Sequence, residues 1–419
     1  MSFRHIGRLA AILAAFAVCV ACGNTFRPVA VPEASTPPDP GSVHFIFSLT
    51  ANAPGTRGDV LQYDVSGDST QGVAEVGISP VHATLDPFAA HIFVVNAGED
   101  TLASITPANV LGSIGTPVTI SLPAGSAPSF VATTENGNVY VANSGIASVS
   151  AISITSNVVT DVIPTGNNPV ALAETPNALS LYALNQADNT VTAINPADRT
   201  VRATIKVGVS PIWALSRADS TRVYVLNSGD GTISAIDTST DQVVGAATVG
   251  VGANYMGYDA ASNRLFVTNP VANTVTALLV ASDPPSIQFV TPVSANPYSV
   301  TLLPDGSRLY VASVTNASGN ATVQATVLNA ANGSVQSVIP LERVPSACIA
   351  GAHFPVAAAA AGDGSRVYVS SCDSGSVSVI STTTDTKLLD LIAPASAYPP
   401  PGPGEQPPPQ QPVFLIAGP

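Results

Sequence analysis

The side chains that could do chemistry are few in this sequence, and they are far apart. Its five histidines are His5, His44, His82, His91 and His353, and no two lie at a metal-ligand spacing. Four cysteines occur, Cys19, Cys22, Cys348 and Cys372, again without a His or further Cys close enough to complete a zinc set. There is no GxSxG nucleophile elbow, no HExxH pair and no phosphate-binding P-loop, so no catalytic group is assigned from motif. Acids recur at Asp100, Asp188, Asp230 and Asp373, each in a turn. On one face they could hold Ca²⁺ or a basic partner. Asp in such turns is equally well explained by hydrogen bonds to its own backbone, and no loop has dense calcium-ligand spacing. No metal and no cofactor is expected.

The elements that position these groups are strands. Apolar residues make up 46% of the chain and charged residues 10%, with Lys only at Lys206 and Lys387. Val, Thr, Ser, Ala, Asn and Gly dominate, the composition of short strands and tight turns. One pattern recurs along the chain as His91–Asn96, Asn138–Asn143, Ser180–Asn185, Arg222–Asn227, Arg264–Asn269, Arg308–Ser313 and Arg366–Ser371. The central repeats have a period of about 42 residues, the size of one four-stranded propeller blade. A Pro-led apolar stretch precedes each segment, as in Pro211–Asp219 or Pro297–Gly306. A turn and two further strands follow it, as in Thr232–Asp237 and Gln242–Val249. No helical periodicity separates the strands, which excludes a βαβ solenoid.

The segments YVAN, YALN, YVLN, FVTN, YVAS and YVSS resemble the YVTN β-propeller repeat, over roughly residues 42–393. The resemblance implies a single all-β propeller of four-stranded antiparallel blades. It is weak for activity, since that family spans surface-layer, adhesive and binding members as well as lactonase-like and quinoprotein-like relatives. Seven units are complete. An eighth is formed by Val43–Thr50, Asp59–Val65 and Gly72–Ile78, which match the second to fourth strands of a blade. Its innermost strand comes from Pro28–Pro32 or from Val413–Ala417 at the end of the chain, and the latter would remove a free sheet edge. Eight blades are expected, with seven plus a decorated N-terminus as the alternative.

In a propeller the innermost strands converge on the axis, where ligands usually sit. Two residues after the leading Pro the units offer His82, Phe130, Ala171, Trp213, Ser299 and Ala357, and Tyr255 takes the place by register in the unit that has Ala253 instead of Pro. Phe130, Trp213 and Tyr255 could form an aromatic wall that stacks a sugar or a flat ligand, or they could simply pack between blades. His82 is the one histidine placed as a ligand or base, although a lone His is usually structural. The longest departure from the period, Leu341–Phe354, carries Glu342, Arg343, Cys348 and His353. Its loop and the turn holding Cys372 belong to the same propeller face, so a Cys348–Cys372 disulfide is expected to pin the insertion.

The chain ends imply export. Residues 1–21 read as a signal peptide, with Arg4 and Arg8 ahead of the apolar run Leu9–Ala21. Cys19–Cys22 resembles a bacterial lipobox, which implies acylation at Cys22; ordinary cleavage near Ala21 is the alternative. Residues 22–41 then form a Pro-rich tether, 42–393 the propeller, 394–412 a Pro-rich spacer, and 413–419 a short terminal strand. The net charge of −13 argues against nucleic acid as a partner. The expectation is a non-catalytic binding or scaffold propeller, held by lipid at the bacterial envelope on its periplasmic or outer-membrane face. It would take a protein, glycan or small molecule at its loop face or axis, with His82, Phe130, Trp213, Tyr255 and His353 as ligand-binding candidates. The alternative is a lactonase-like hydrolase or a redox-enzyme subunit with its site at the axis. A quinoprotein would need many more Trp than the single one present.

Overall fold

The computed structural model describes residues 45–51, 55–108, 113–133, 137–294, 296–317, 320–344, 356–371, 375–392 and 411–418. Among these residues there are thirty-two strands, β1–β32, and no helix. The strands form eight four-stranded antiparallel sheets. Seven sheets each use four strands consecutive in the chain. The first blade does not: β1 (Phe45–Ala51), β2 (Arg57–Asp64) and β3 (Ser69–Ile78) are joined by β32 (Gln411–Ala417), which pairs antiparallel with β1 as the innermost strand.

The other innermost strands are β4 (Pro80–Leu85), β8 (Pro128–Thr133), β12 (Pro169–Glu174), β16 (Pro211–Ser216), β20 (Tyr255–Asp259), β24 (Pro297–Leu302) and β28 (Val356–Ala360). Each packs beside the next, and β32 lies between β28 and β4, so the ring closes. The fold is therefore an eight-bladed β-propeller, closed by its own C-terminal strand and left with only short, protected inner edges.

The repeated Tyr is what packs one blade on the next. Phe47, Phe93, Tyr140, Tyr182, Tyr224, Phe266, Tyr310 and Tyr368 occupy one position in the second strand of all eight blades, and none is more than 2% exposed. A buried phenol needs a hydrogen-bond partner, and here the following blade supplies it. Tyr182 donates to Asp241 Oδ1 at 2.7 Å, Tyr224 to the Val280 carbonyl at 3.0 Å, and Tyr140 to the Pro196 carbonyl at 3.2 Å.

The repeated Asn holds a single blade together. Asn143 Nδ2 donates to Ser148 Oγ at 3.0 Å and to Ser150 Oγ at 2.9 Å. Asn185 and Asn227 make the same pair of bonds across the turn, to Thr190 and Thr192 and to Thr232 and Ser234. The motif residues are thus spent on architecture.

The leading Pro has a further consequence. In β4, β8, β12, β16, β24 and β32 the ladder register shifts between the Pro and the residue two positions on, which leaves the residue between them bulged. Pro has no N–H for the ladder, so the strand bends there and re-aims the side chains that follow.

Candidate functional site

The bulges build the centre of the molecule. The residues two after the Pro are all buried: His82, Phe130, Ala171, Trp213 and Ser299, together with Tyr255, Ala357 and Phe414 at the matching positions. Four of the five rings come from the residues named by the sequence, and they meet one another. His82 stacks on Phe130 with centroids 3.8 Å apart and planes inclined by 22°. Phe130 meets Trp213 edge-on at 5.8 Å, and Trp213 lies 5.1 Å from Tyr255. Phe130 and Trp213 belong to the third and fifth blades, so they touch across the small Ala171 of the fourth. The rings are buried and pack against those of neighbouring blades. They fill the axis as a chain of aromatics, with small residues completing the ring on the opposite side.

Above this plug lies a basin of about 180 Å³. The bulged residues Val81, Ser129, Val170 and Ile212 wall it, His82, Phe130 and Trp213 form its floor, and Gln186 and Asn254 add polar edges. The polar groups are held in place. Ser129 Oγ donates to the Pro169 carbonyl at 2.8 Å, Asn168 Nδ2 to Gln186 Oε1 at 3.0 Å, and Gln186 Nε2 to Ser210 Oγ at 3.2 Å. Asn254 accepts from Thr268 Oγ1 at 2.8 Å and donates to the Tyr298 carbonyl at 3.1 Å. At His82 the Val131 N–H donates to Nδ1 across a long 3.4 Å. That contact requires a lone pair on Nδ1, which in the neutral ring leaves the proton on Nε2.

Burial pushes the Tyr255 hydroxyl far above its ordinary value, so it stays a neutral phenol. The floor is aromatic and the lining side chains carry no fixed charge. Such a site suits a small uncharged ligand with one flat or apolar face and a few polar groups at its edge.

The turn acids Asp100, Asp188 and Asp230 hold local structure. Asp100 accepts from the Gly125 and Ala127 N–H groups at 2.7 and 2.8 Å and from Ser126 Oγ at 3.1 Å. Asp188 accepts from the Asn167 N–H at 2.6 Å, and Asp230 from the Val209 N–H at 2.8 Å. They tie turns to the loops that lead into inner strands, which is the local hydrogen-bonding role. Among the described residues no group of three or more His, Cys, Asp or Glu side chains gathers in metal-binding fashion. Cys22, Cys348, Cys372, His353 and Asp373 lie outside the described residues.

Sequence reasoning missed Phe414 and the bulged wall. Phe414 was legible, because Pro412-Val413-Phe414 repeats the spacing of Pro128-Ser129-Phe130. Gln186 and Asn254 carry no such signal, since only the closed ring brings their loops to the axis.

No known protein family and no curated protein matches this sequence. Solved structures do match its fold. A periplasmic gluconolactonase of Pseudomonas aeruginosa aligns with 72% of this chain and 96% of its own length, at 17% identity and a TM-score of 0.56. A candidate 6-phosphogluconolactonase from Bacteroides fragilis covers 92% of this chain and 100% of its own, at 14% identity and a TM-score of 0.56. Hydrazine synthase of Kuenenia stuttgartiensis covers 64% and 87%, at 17% identity and a TM-score of 0.50. At these identities the likeness is one of fold.

Proposed function

We propose that this protein is a binding propeller that receives a small uncharged ligand, of about one sugar or lactone ring, in the basin over its axial plug. The observation that carries this reading is the floor itself, where His82, Phe130 and Trp213 meet beneath an edge of Ser129, Gln186 and Asn254. A volume of about 180 Å³ is smaller than the roughly 300–1,000 Å³ of pockets for drug-sized molecules. Stacking on the rings would supply apolar contact, and the rim would select a ligand with carbonyl or hydroxyl groups. The Val131 N–H occupies the Nδ1 lone pair that a general base would use, which favours binding over general-base chemistry. We further propose that the chain belongs to the YVTN-repeat propellers and is presented at a bacterial envelope by lipid on Cys22.

The test uses the single tryptophan. Trp213 is the only Trp in the chain, so its emission reports on the floor alone. Titration with neutral aldoses and sugar lactones should give a saturable change that Ile212→Asp weakens about tenfold. No saturable change across the panel would contradict the reading.

The second reading is hydrolysis of a sugar lactone, which the two lactonases of like fold and the axial His82 favour. Proton release from gluconolactone, with its loss in His82→Gln, would establish it in place of simple binding.

A further inference from the structure

The fifth axial ring does not come from the repeats at all. It is Phe414, carried by the C-terminal strand and buried at 4% exposure. Its ring lies 4.9 Å from that of His82, inclined by 49°, while Phe130 stacks on His82 at 3.8 Å. His82 is thus held between two phenyl rings from the first and third blades, with Nδ1 turned to the Val131 N–H. The strand reaches this position by the bulge used elsewhere in the ring. Leu49 pairs with Phe414 and Thr50 with Pro412, which leaves Val413 bulged between them.

We propose that Phe414 is a positioning residue for the axial site, fixing the orientation and tautomer of His82. The proposal rests on the reading of the basin as a ligand site. Imidazole can rotate about its χ2 angle unless packing forbids it, and the nitrogen that keeps the proton is set by the hydrogen bond the other makes. Phe130 alone restrains one side of the ring. Phe414 restrains it from a second, so the Nδ1 lone pair stays on the Val131 N–H. On this account the C-terminal strand acts on the basin through His82, since Phe414 touches that ring and does not itself line the basin.

The experiment is nitrogen-15 NMR of His82 in the full-length protein without any ligand, so its outcome is separable from that of the binding reading. Long-range couplings of the ring nitrogens distinguish the two neutral tautomers. At a pH where the ring is neutral, the parent protein should show the Nε2–H form alone. Phe414→Ala should lose that signature and give averaged shifts of two exchanging tautomers. Phe414→Val removes the ring contact with a smaller loss of volume, and it serves if the alanine variant does not fold. Ile416→Ala is the control: Ile416 is buried in the same strand, so the change loosens that strand without removing a ring from His82. It should lower the melting temperature while the tautomer holds. A parent-like His82 spectrum in the Phe414 variants would overturn the proposal. So would an equal change in Ile416→Ala, because Phe414 would then be acting only as part of the strand.

Discussion

The Tyr368 hydroxyl donates a 3.0 Å hydrogen bond to Asp68 Oδ1, joining the eighth blade to the first across 300 residues of chain. Arg366 reaches the same carboxylate from two positions earlier, with Nε 3.2 Å from Asp68 Oδ2. Asp68 holds a left-handed turn conformation, with φ of 44°, between the two outer strands of its blade. Asp385 in the eighth blade repeats this arrangement, accepting from Tyr310 and Arg308 of the seventh. The seam is therefore closed twice, by backbone pairing of the C-terminal strand inside and by side chains outside.

Removing the outer closure should be costly for one exposed-looking turn. Asp68→Ala leaves the buried Tyr368 hydroxyl and Arg366 without their acceptor. A loss of about 1–3 kcal/mol is expected, the range for a hydrogen bond to a charged group. Urea unfolding of the variant against the parent checks this. An unchanged midpoint would mean that the β32 pairing alone closes the ring.

A single glycine should resist replacement even by a residue that other blades use. Gly231 has φ of 67°, and the same turn position holds Asp100, Asn189 and Asn273, also at positive φ. A Cβ at Gly231 would stand 2.1 Å from the Gly250 carbonyl carbon, too close for any side chain. Gly231→Asn is therefore expected to destabilise by about 2–4 kcal/mol despite its favourable backbone preference. Thermal melting measures it, and a near-neutral result would show that the Gly250 loop can move aside.

Stability should fall at both ends of the pH range, for opposite reasons. Partial burial raises the Asp219 carboxyl, but hydrogen bonds from Arg217 and Thr221 outweigh it and hold it at about 2. A depressed carboxylate stabilises above its unfolded value of about 4, and that contribution is lost as the pH drops towards 2. The Ser239 hydroxyl and other donors likewise lower Asp237. In the other direction, burial pushes the Tyr140 and Tyr224 hydroxyls up to about 12. Their contribution is complete below about 10 and is lost as the pH rises through 12. Melting temperatures across this range should form a plateau with both flanks falling, the alkaline flank coinciding with tyrosinate absorbance. Tyrosines titrating near 10 in the folded protein would contradict the buried inter-blade packing.

Much of this architecture was readable in advance. Residues such as Tyr182 and Asn185 recur because every blade must solve the same packing and turn problem, so their spacing shows the blades directly. The C-terminal strand was one of two options for the first blade, and the structure supplies it from Gln411–Ala417. The axial positions of His82, Phe130 and Trp213 followed from counting past a Pro, and that of Tyr255 from the register of its unit. What counting could not supply was their mutual contact, since Phe130 reaches Trp213 only because Ala171 between them is small. The wall formed by Val81, Ser129, Val170 and Ile212 was also hidden. Alternation alone would point those side chains away from their neighbours' side of the sheet, and the bulge breaks that alternation.

The central claim is that the axial basin is where the ligand sits, and crystals soaked with neutral pyranose and lactone fragments test it most directly. The account predicts a ring lying on Phe130 and Trp213, with its polar edge towards Ser129, Gln186 and Asn254. An empty basin, with fragments collecting instead in the polar groove between the first two blades beside Arg57, Glu75 and Thr119, would contradict it.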